Sequence, residues 1–279
     1  MPNRQVLTPF VFSHANSFGA GVYRVLFEAL KARGFAAHAI EQLGHDPRYP
    51  VTNNWPHLVQ QLTDFTQAKV DKAGVPLFLV GHSLGGFLSL MVASHAPHLV
   101  RGVVLMDAPI VGGWRATALG LAKRTQLVGS MSPAAVSKKR RNQWPNMEAA
   151  LAHFESKRAF AKWDHQVLAD YIAHGTRDES IKGKTHRVLS FQREVETAIY
   201  NTLPSNLEGL IKSNPVKCPV SFIGGTHSSE LRQAGMALTQ RITQGRIMML
   251  DGTHLFPMEK PLVTAAALEA ALLNLQGLS

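Results

Sequence analysis

A chain of 279 residues, 45% hydrophobic and 17% charged, is long enough to bury a sizeable core in one α/β domain or in a domain carrying one insertion. Its one cysteine, Cys218, excludes an internal disulfide and a cysteine metal cluster, and no run reaches the roughly 18 apolar residues of a membrane span. The formal net charge of +10 raises nucleic acid as a partner, but no zinc-finger spacing, aromatic RNA-binding strand or repeat accompanies it, so no nucleic acid is expected.

The first residues, Met1-Pro2-Asn3-Arg4-Gln5, lack the apolar run of a secretory signal, and a cytoplasmic protein is expected. Residues 6–13 read as a buried strand that opens into the loop His14-Ala15-Asn16-Ser17-Phe18-Gly19. Residues 21–33 form an amphipathic helix, with Val22, Val25, Leu26, Ala29 and Leu30 on one face and Gly34 as its stop. A strand over 35–40 follows. Residues 54–72 space Leu58, Leu62, Phe65 and Ala68 along one side of a second helix, closed by Gly74. A strand from 77 to 80, a helix over 84–96 and a strand over 100–106 complete the first half. Strands apolar on both faces, alternating with helices, predict a mostly parallel β-sheet flanked by helices.

After Asp107-Ala108-Pro109 the rhythm changes. From 111 to about 206 the sequence reads as helical and free of convincing strands, with Trp114, Trp144 and Trp163 and breaks at Pro133 and Pro145. Over 111–205 it carries 15 Lys and Arg against 8 Asp and Glu, so most of the net charge lies here, densest at Lys138-Lys139-Arg140-Arg141. The bland reading of that run is a solvated helix face; the functional one is attraction of an anionic substrate into a cleft. The segment is expected to be an inserted helical cap, with 1–110 and 206–279 forming the core. The α/β pattern resumes with a strand at 219–223, a helix at 229–244, a strand at 246–250 and a closing helix at 261–275.

One stretch carries chemistry. In Leu79-Val80-Gly81-His82-Ser83-Leu84-Gly85-Gly86 an apolar strand ends at once in a helical pattern. Such a strand–turn–helix lifts one serine to the apex of a sharp bend, and Gly81 and Gly85 clear the space around it. Ser83 is therefore the candidate nucleophile. A hydroxyl needs a base to take its proton, and the candidate is His254, in Leu250-Asp251-Gly252-Thr253-His254-Leu255-Phe256-Pro257-Met258-Glu259. It follows the last strand, and in a parallel sheet that loop lies at the same carboxyl edge as Ser83. His82, in the variable slot of the motif, is expected to pack or to touch substrate. Asp46 and Arg48 are expected to form a turn. Histidines 14, 82 and 227 have no ligand spacing, so no metal is expected.

These two motifs resemble the α/β-hydrolase fold superfamily, a likeness that extends over residues 6–276. The resemblance implies that the loop after the first strand, Phe12-Ser13-His14-Ala15-Asn16, carries the oxyanion hole, with the backbone N–H groups of Asn16 and Leu84 as donors. Ala15 stands where that family usually has glycine, and the family's opening hairpin is expected to be missing. The acid is ambiguous. The family usually places it after the strand that follows the cap, where this chain has Ser228; Glu230 is close by, and Asp107 occupies a position some subfamilies use. Asp107 is preferred over Glu230 to orient His254.

The reading is a serine hydrolase that cleaves a carboxylic ester or related acyl compound through Ser83, His254 and Asp107, with no cofactor and a small-molecule acyl substrate. Carbon–carbon bond hydrolysis and acyl transfer on the same residues stay open, as does a ligand-binding protein of this fold. Haloalkane dehalogenation is disfavoured, because that chemistry uses a carboxylate in place of Ser83.

Overall fold

The structure, a computed structural model, describes residues 7–110, 133–205 and 207–278. The chain opens with β1 (Thr8–Ser13), a 3-10 turn (Ala20–Tyr23), α1 (Arg24–Ala32), β2 (Phe35–Ala39), α2 (Pro56–Ala73), β3 (Leu77–His82), α3 (Leu84–His95) and β4 (Val100–Met106). The stops are those read from the sequence: Gly34 and Gly74 both have positive φ, 91° and 70°. At such angles an L side chain is crowded and glycine is not.

The stretch that follows β4 includes the expected insertion 111–205. Its described part holds α4 (Pro133–Lys139), β5 (Gln143–Trp144), α5 (Met147–Glu155), α6 (His165–Gly175), β6 (Thr176–Ile181), β7 (Lys184–Leu189), α7 (Arg193–Asn201) and α8 (Leu207–Ser213). The chain closes with β8 (Val220–Gly225), α9 (Ser229–Ala234), α10 (Ala237–Thr243), β9 (Ile247–Leu250), α11 (Phe256–Glu259) and α12 (Pro261–Gln276). The helix expected over 229–244 is two helices, interrupted at Gly235 with φ 76°.

Six strands form one sheet in the order β2-β1-β3-β4-β8-β9, and every pairing in it is parallel. Successive residues of β1 point to opposite faces. Phe10 and Phe12 join one buried cluster with Phe78, Val80, Val104, Met106 and helices α1 and α12. Val11 joins the other, with Leu79, Val103, Leu105, Phe222 and helices α2 and α3. Each such side chain, buried on a two-faced sheet, contributes about 2–3 kcal/mol of transfer free energy. The order reverses beside β1: β2 lies on one side of it and β3 on the other. In such sheets ligands bind at the switch point beyond the carboxyl ends of the strands, and the strands that flank it here end at Ser13 and His82.

The expectation that the insertion is helical and without strands is corrected. Strands β5, β7 and β6 make a separate three-stranded antiparallel sheet. The β6–β7 turn is Lys182-Gly183, with φ 50° and 76°, the paired left-handed residues of a tight hairpin. The basic run Lys138-Lys139-Arg140-Arg141 is only partly a solvated face: Arg140 pairs with the buried Glu196 at 3.1 Å, and the Arg141 guanidinium lies over the Trp144 ring. Trp114 and Val6 lie outside the described residues.

Candidate active site

The site is built at the switch point from four loops. Between β3 and α3 there is a single residue, Ser83, with φ 52° and ψ −115°, a conformation that costs a non-glycine residue of order 1–3 kcal/mol. Hydrogen bonds hold it there. The Ser83 N–H donates to Met106 O at 2.9 Å, while its carbonyl accepts from the N–H groups of Gly86 and Phe87. The glycines are demanded by crowding. A Cβ at Gly81 would lie 2.1 Å from the Gly85 carbonyl oxygen, and one at Gly85 would lie 2.0 Å from the Ser13 oxygen. Leu84 opens α3, so its N–H belongs to the first turn, where amides have no intrahelical acceptor and the helix end is positive.

The loop after β1 is pinned residue by residue. The Ala15 N–H donates to the Tyr23 hydroxyl at 3.1 Å, and the Ala15 carbonyl accepts from His14 Nδ1–H at 2.8 Å and from the Phe18 N–H at 3.1 Å. Because the peptide is planar and trans, a fixed Ala15 carbonyl aims the Asn16 N–H in the opposite direction. Ala15 has no positive φ, which is why alanine is tolerated there. His14 Nε2 accepts from the Leu43 N–H at 2.9 Å; burial lowers its pKa to about 4 and keeps it neutral. The Asn16 side chain reaches the insertion, donating to Glu196 O at 3.2 Å.

Asp107 directly follows β4 and adopts φ 43°. Its Oδ2 accepts from His254 Nδ1–H at 2.6 Å and from the Ser228 hydroxyl at 2.5 Å, and its Oδ1 accepts from the Gly225 N–H at 2.8 Å. Burial alone would raise the Asp107 pKa, but these donors outweigh it and hold the carboxyl below its ordinary value. His254 shows the complementary balance. Burial pushes its pKa down, and the bond to Asp107 with the nearby charge of Glu230 pushes it up, leaving it raised above 6.5. Glu230 Oε2 is 4.0 Å from His254 Nδ1, and its side chain is nearly half exposed. The structure thus brings Asp107 and His254 together and leaves Glu230 at the rim. Ser228 reaches its place because it caps α9, its hydroxyl accepting from the Leu231 N–H at 3.1 Å while donating to Asp107.

His82 is fully buried next to Ser83. Its Nε2–H donates to the His254 carbonyl at 2.9 Å and its Nδ1 meets the Tyr23 hydroxyl at 2.8 Å. Sequence reasoning missed Ser228 and Tyr23. A serine opening a helix three residues before Leu231 is a capping signal, but nothing in the sequence couples it to a residue 121 positions away. Asp46 and Arg48 form an exposed ion pair at 2.6 Å within one turn, and His227 meets Asp251 on the surface at 3.0 Å.

Among the described residues, the one cluster with three metal-ligating donors in mutual reach is Asp107, Glu230 and His254, within 4.8 Å of one another. Two ligands of one zinc ion, each about 2.0–2.1 Å from it, lie roughly 3.3 Å apart in a tetrahedral site. The 2.6 Å from His254 Nδ1 to Asp107 Oδ2 is instead the spacing of a charge-assisted hydrogen bond.

A model of the alpha/beta hydrolase family matches residues 10–267, and the chain belongs to that family. The serine hydrolase-like protein of Dictyostelium discoideum is 22% identical over 259 residues, 86% of this chain and 68% of that one. The monoglyceride lipase of Mus musculus is 30% identical over 103 residues, 36% of this chain and 34% of that one, so the matched part spans about a third of the mouse enzyme. Among solved structures, the thioesterase domain from the curacin biosynthetic pathway superposes with TM-score 0.70 at 15% identity, covering 95% of this chain and 91% of that one. E-2-(acetamidomethylene)succinate hydrolase superposes with TM-score 0.68 at 21% identity, over the same shares. At these identities the likeness is one of fold.

Proposed function

We propose that this protein is a serine hydrolase acting on a carboxylic ester or related small-molecule acyl compound. In this reading His254 takes the proton of Ser83, and Ser83 Oγ attacks the acyl carbonyl. The backbone amides of Asn16 and Leu84 receive the oxyanion. Asp107 holds the imidazole in the tautomer that leaves Nε2 free to accept and stabilises the imidazolium that forms. His254 then returns the proton to the leaving alcohol and activates water to release the acid. The inserted segment acts as a cap, shaping the acyl pocket and excluding water.

One observation carries the reading: the buried Asp107 carboxylate, held by three donors, faces His254 Nδ1 at 2.6 Å. The hydrolase names of the Dictyostelium and mouse relatives lend support, and the mouse lipase favours an ester. Among the described residues no helix is long and apolar enough to cross a membrane.

The test is fluorophosphonate labelling of the folded protein with turnover of p-nitrophenyl esters from short to long chain. Labelling at Ser83, ester turnover, and loss of both in Ser83→Ala and His254→Ala are the expected results. A protein that takes no label at Ser83 is a binder of this fold. Labelling without ester turnover directs the assay to diketone substrates and acyl acceptors.

A further inference from the structure

We propose that Tyr23 and His82 form a directional hydrogen-bond relay that fixes the oxyanion loop and the base loop to each other, making both of them positioning residues for the reaction. The inference rests on the hydrolase reading above and adds to it two residues that touch neither the substrate nor the reacting atoms.

The direction of every bond follows from chemistry. A backbone N–H only donates, so the Tyr23 hydroxyl oxygen accepts from Ala15, at 3.1 Å. A backbone carbonyl only accepts, so His82 Nε2 carries a hydrogen and donates it to His254 O at 2.9 Å. A neutral imidazole has one N–H. His82 Nδ1 is therefore bare, and the Tyr23 O–H must donate to it, at 2.8 Å. The sequence of donors runs Ala15, Tyr23, His82, His254, with no group able to reverse its role alone.

The ring is built to stay in that state. His82 is 0% exposed and Tyr23 is 2% exposed. Burial and the neighbouring His254 imidazole, whose ring centroid is 5.2 Å away, push the His82 pKa down to about 3. The charges facing His82 are that imidazole, the Asp107 carboxylate, which acts the other way, and the more distant His14. A second proton on His82 would turn Nδ1 into a donor and break the bond from Tyr23.

What the relay joins gives it a role. Ala15 precedes Asn16, the proposed oxyanion donor; His82 precedes Ser83; and the carbonyl at the far end belongs to His254 itself. Three loops from three strands meet on one imidazole. A positioning error of about 1 Å at such a site costs on the order of 100-fold in rate.

The experiment compares His82→Gln, His82→Leu and Tyr23→Phe with the parent, reading the rate of fluorophosphonate labelling at Ser83, kcat and KM on a short p-nitrophenyl ester, and the melting temperature. A glutamine amide offers one donor to the His254 carbonyl and one acceptor to Tyr23. Expected are at least 10-fold losses of labelling rate and kcat in His82→Leu and Tyr23→Phe, with KM within twofold, and recovery to within about threefold of the parent in His82→Gln. Should His82→Leu fail to fold, Tyr23→Phe carries the test, because it removes one hydroxyl and keeps the ring.

A Tyr23→Phe protein that labels and turns over at the parent rate overturns the relay. So does a folded His82→Gln as impaired as His82→Leu. If either happens while Ser83→Ala is inactive, the relay falls and the hydrolase reading stands. A Ser83 that never takes label sinks both.

Discussion

Ser228 donates its hydroxyl hydrogen to Asp107 Oδ2 at 2.5 Å. The residue at the position where the resemblance implies an acid therefore serves Asp107, the acid of the proposed mechanism. Its hydroxyl accepts from Leu231 at the same time, which orients the hydrogen toward the carboxylate. Ser228→Ala removes one of three donors to a buried anion. A hydrogen bond to a charged group contributes about 1.5–3 kcal/mol, so the Asp107 pKa rises and its grip on His254 loosens. Ester kcat is expected to fall about 10-fold with KM little changed, and steady-state kinetics of the folded variant check it.

The two carboxylates near His254 are separable by one pair of variants. Asp107→Asn keeps the shape but presents an amide to Nδ1, which favours the wrong tautomer, and a loss of about 10³–10⁴ in kcat is expected. Glu230→Gln leaves the 2.6 Å bond intact and removes a rim charge 4.0 Å away; a change of less than fivefold is expected. If Glu230→Gln abolishes turnover and Asp107→Asn spares it, the assignment of the acid is wrong.

The pH profile follows from His254. As a base it must be unprotonated, and its pKa is raised above 6.5 by Asp107 and Glu230 against the opposing effect of burial. The acid limb of kcat/KM is therefore expected to have its midpoint above 6.5, and Glu230→Gln to move that midpoint down. In stability the sign is opposite: a raised folded pKa stabilises fully below 6.5 and that contribution is lost as pH rises through the folded value. Rate against pH for the parent and Glu230→Gln reads the first effect directly.

His14 gives an acid-side prediction independent of catalysis. Its folded pKa is about 4 against 6.5 unfolded, so the unfolded chain takes the proton first. Stability is intact above 6.5, declines as pH falls from 6.5 to about 4 and levels below that. One proton contributes a slope of about 1.4 kcal/mol per pH unit. His14→Gln, whose amide can still donate to Ala15 and accept from Leu43, is expected to flatten the urea-unfolding profile in that window by about this amount.

The parallel sheet was legible because the central strands are apolar on both faces and the first two helices end at glycines, Gly34 and Gly74, whose φ is positive. The bend at Ser83 was legible for a related reason: backbone crowding at Gly81 and Gly85 forbids any other residue, and that constraint is written in the sequence. The strands of the insertion were not. Thr176–Ile181 and Lys184–Leu189 carry charged side chains along an exposed ribbon, so the two-residue alternation that marks a half-buried strand is weak. The acid was ambiguous because Asp107 and Glu230 both lie near His254 in the fold, and chain spacing does not record which of them meets its Nδ1 at hydrogen-bond distance. His82 reads from the sequence only as packing or touching substrate and Tyr23 carries no signal of its own, and only their bonding partners give them a further meaning.

The buried cluster on one face of the central sheet runs without a break from Phe10 and Val104 to Trp144, Phe154, Trp163 and Tyr171 of the insertion, and Phe18 of the loop after β1 meets the rings of Trp163 and Tyr171 at a tilt. Sheet face and insertion are thus cast from one piece of apolar material. Repacking the insertion would disturb the sheet face that carries the Ser83 bend as well, so under the proposed function changes of selectivity and changes of fitness to catalyse should travel together.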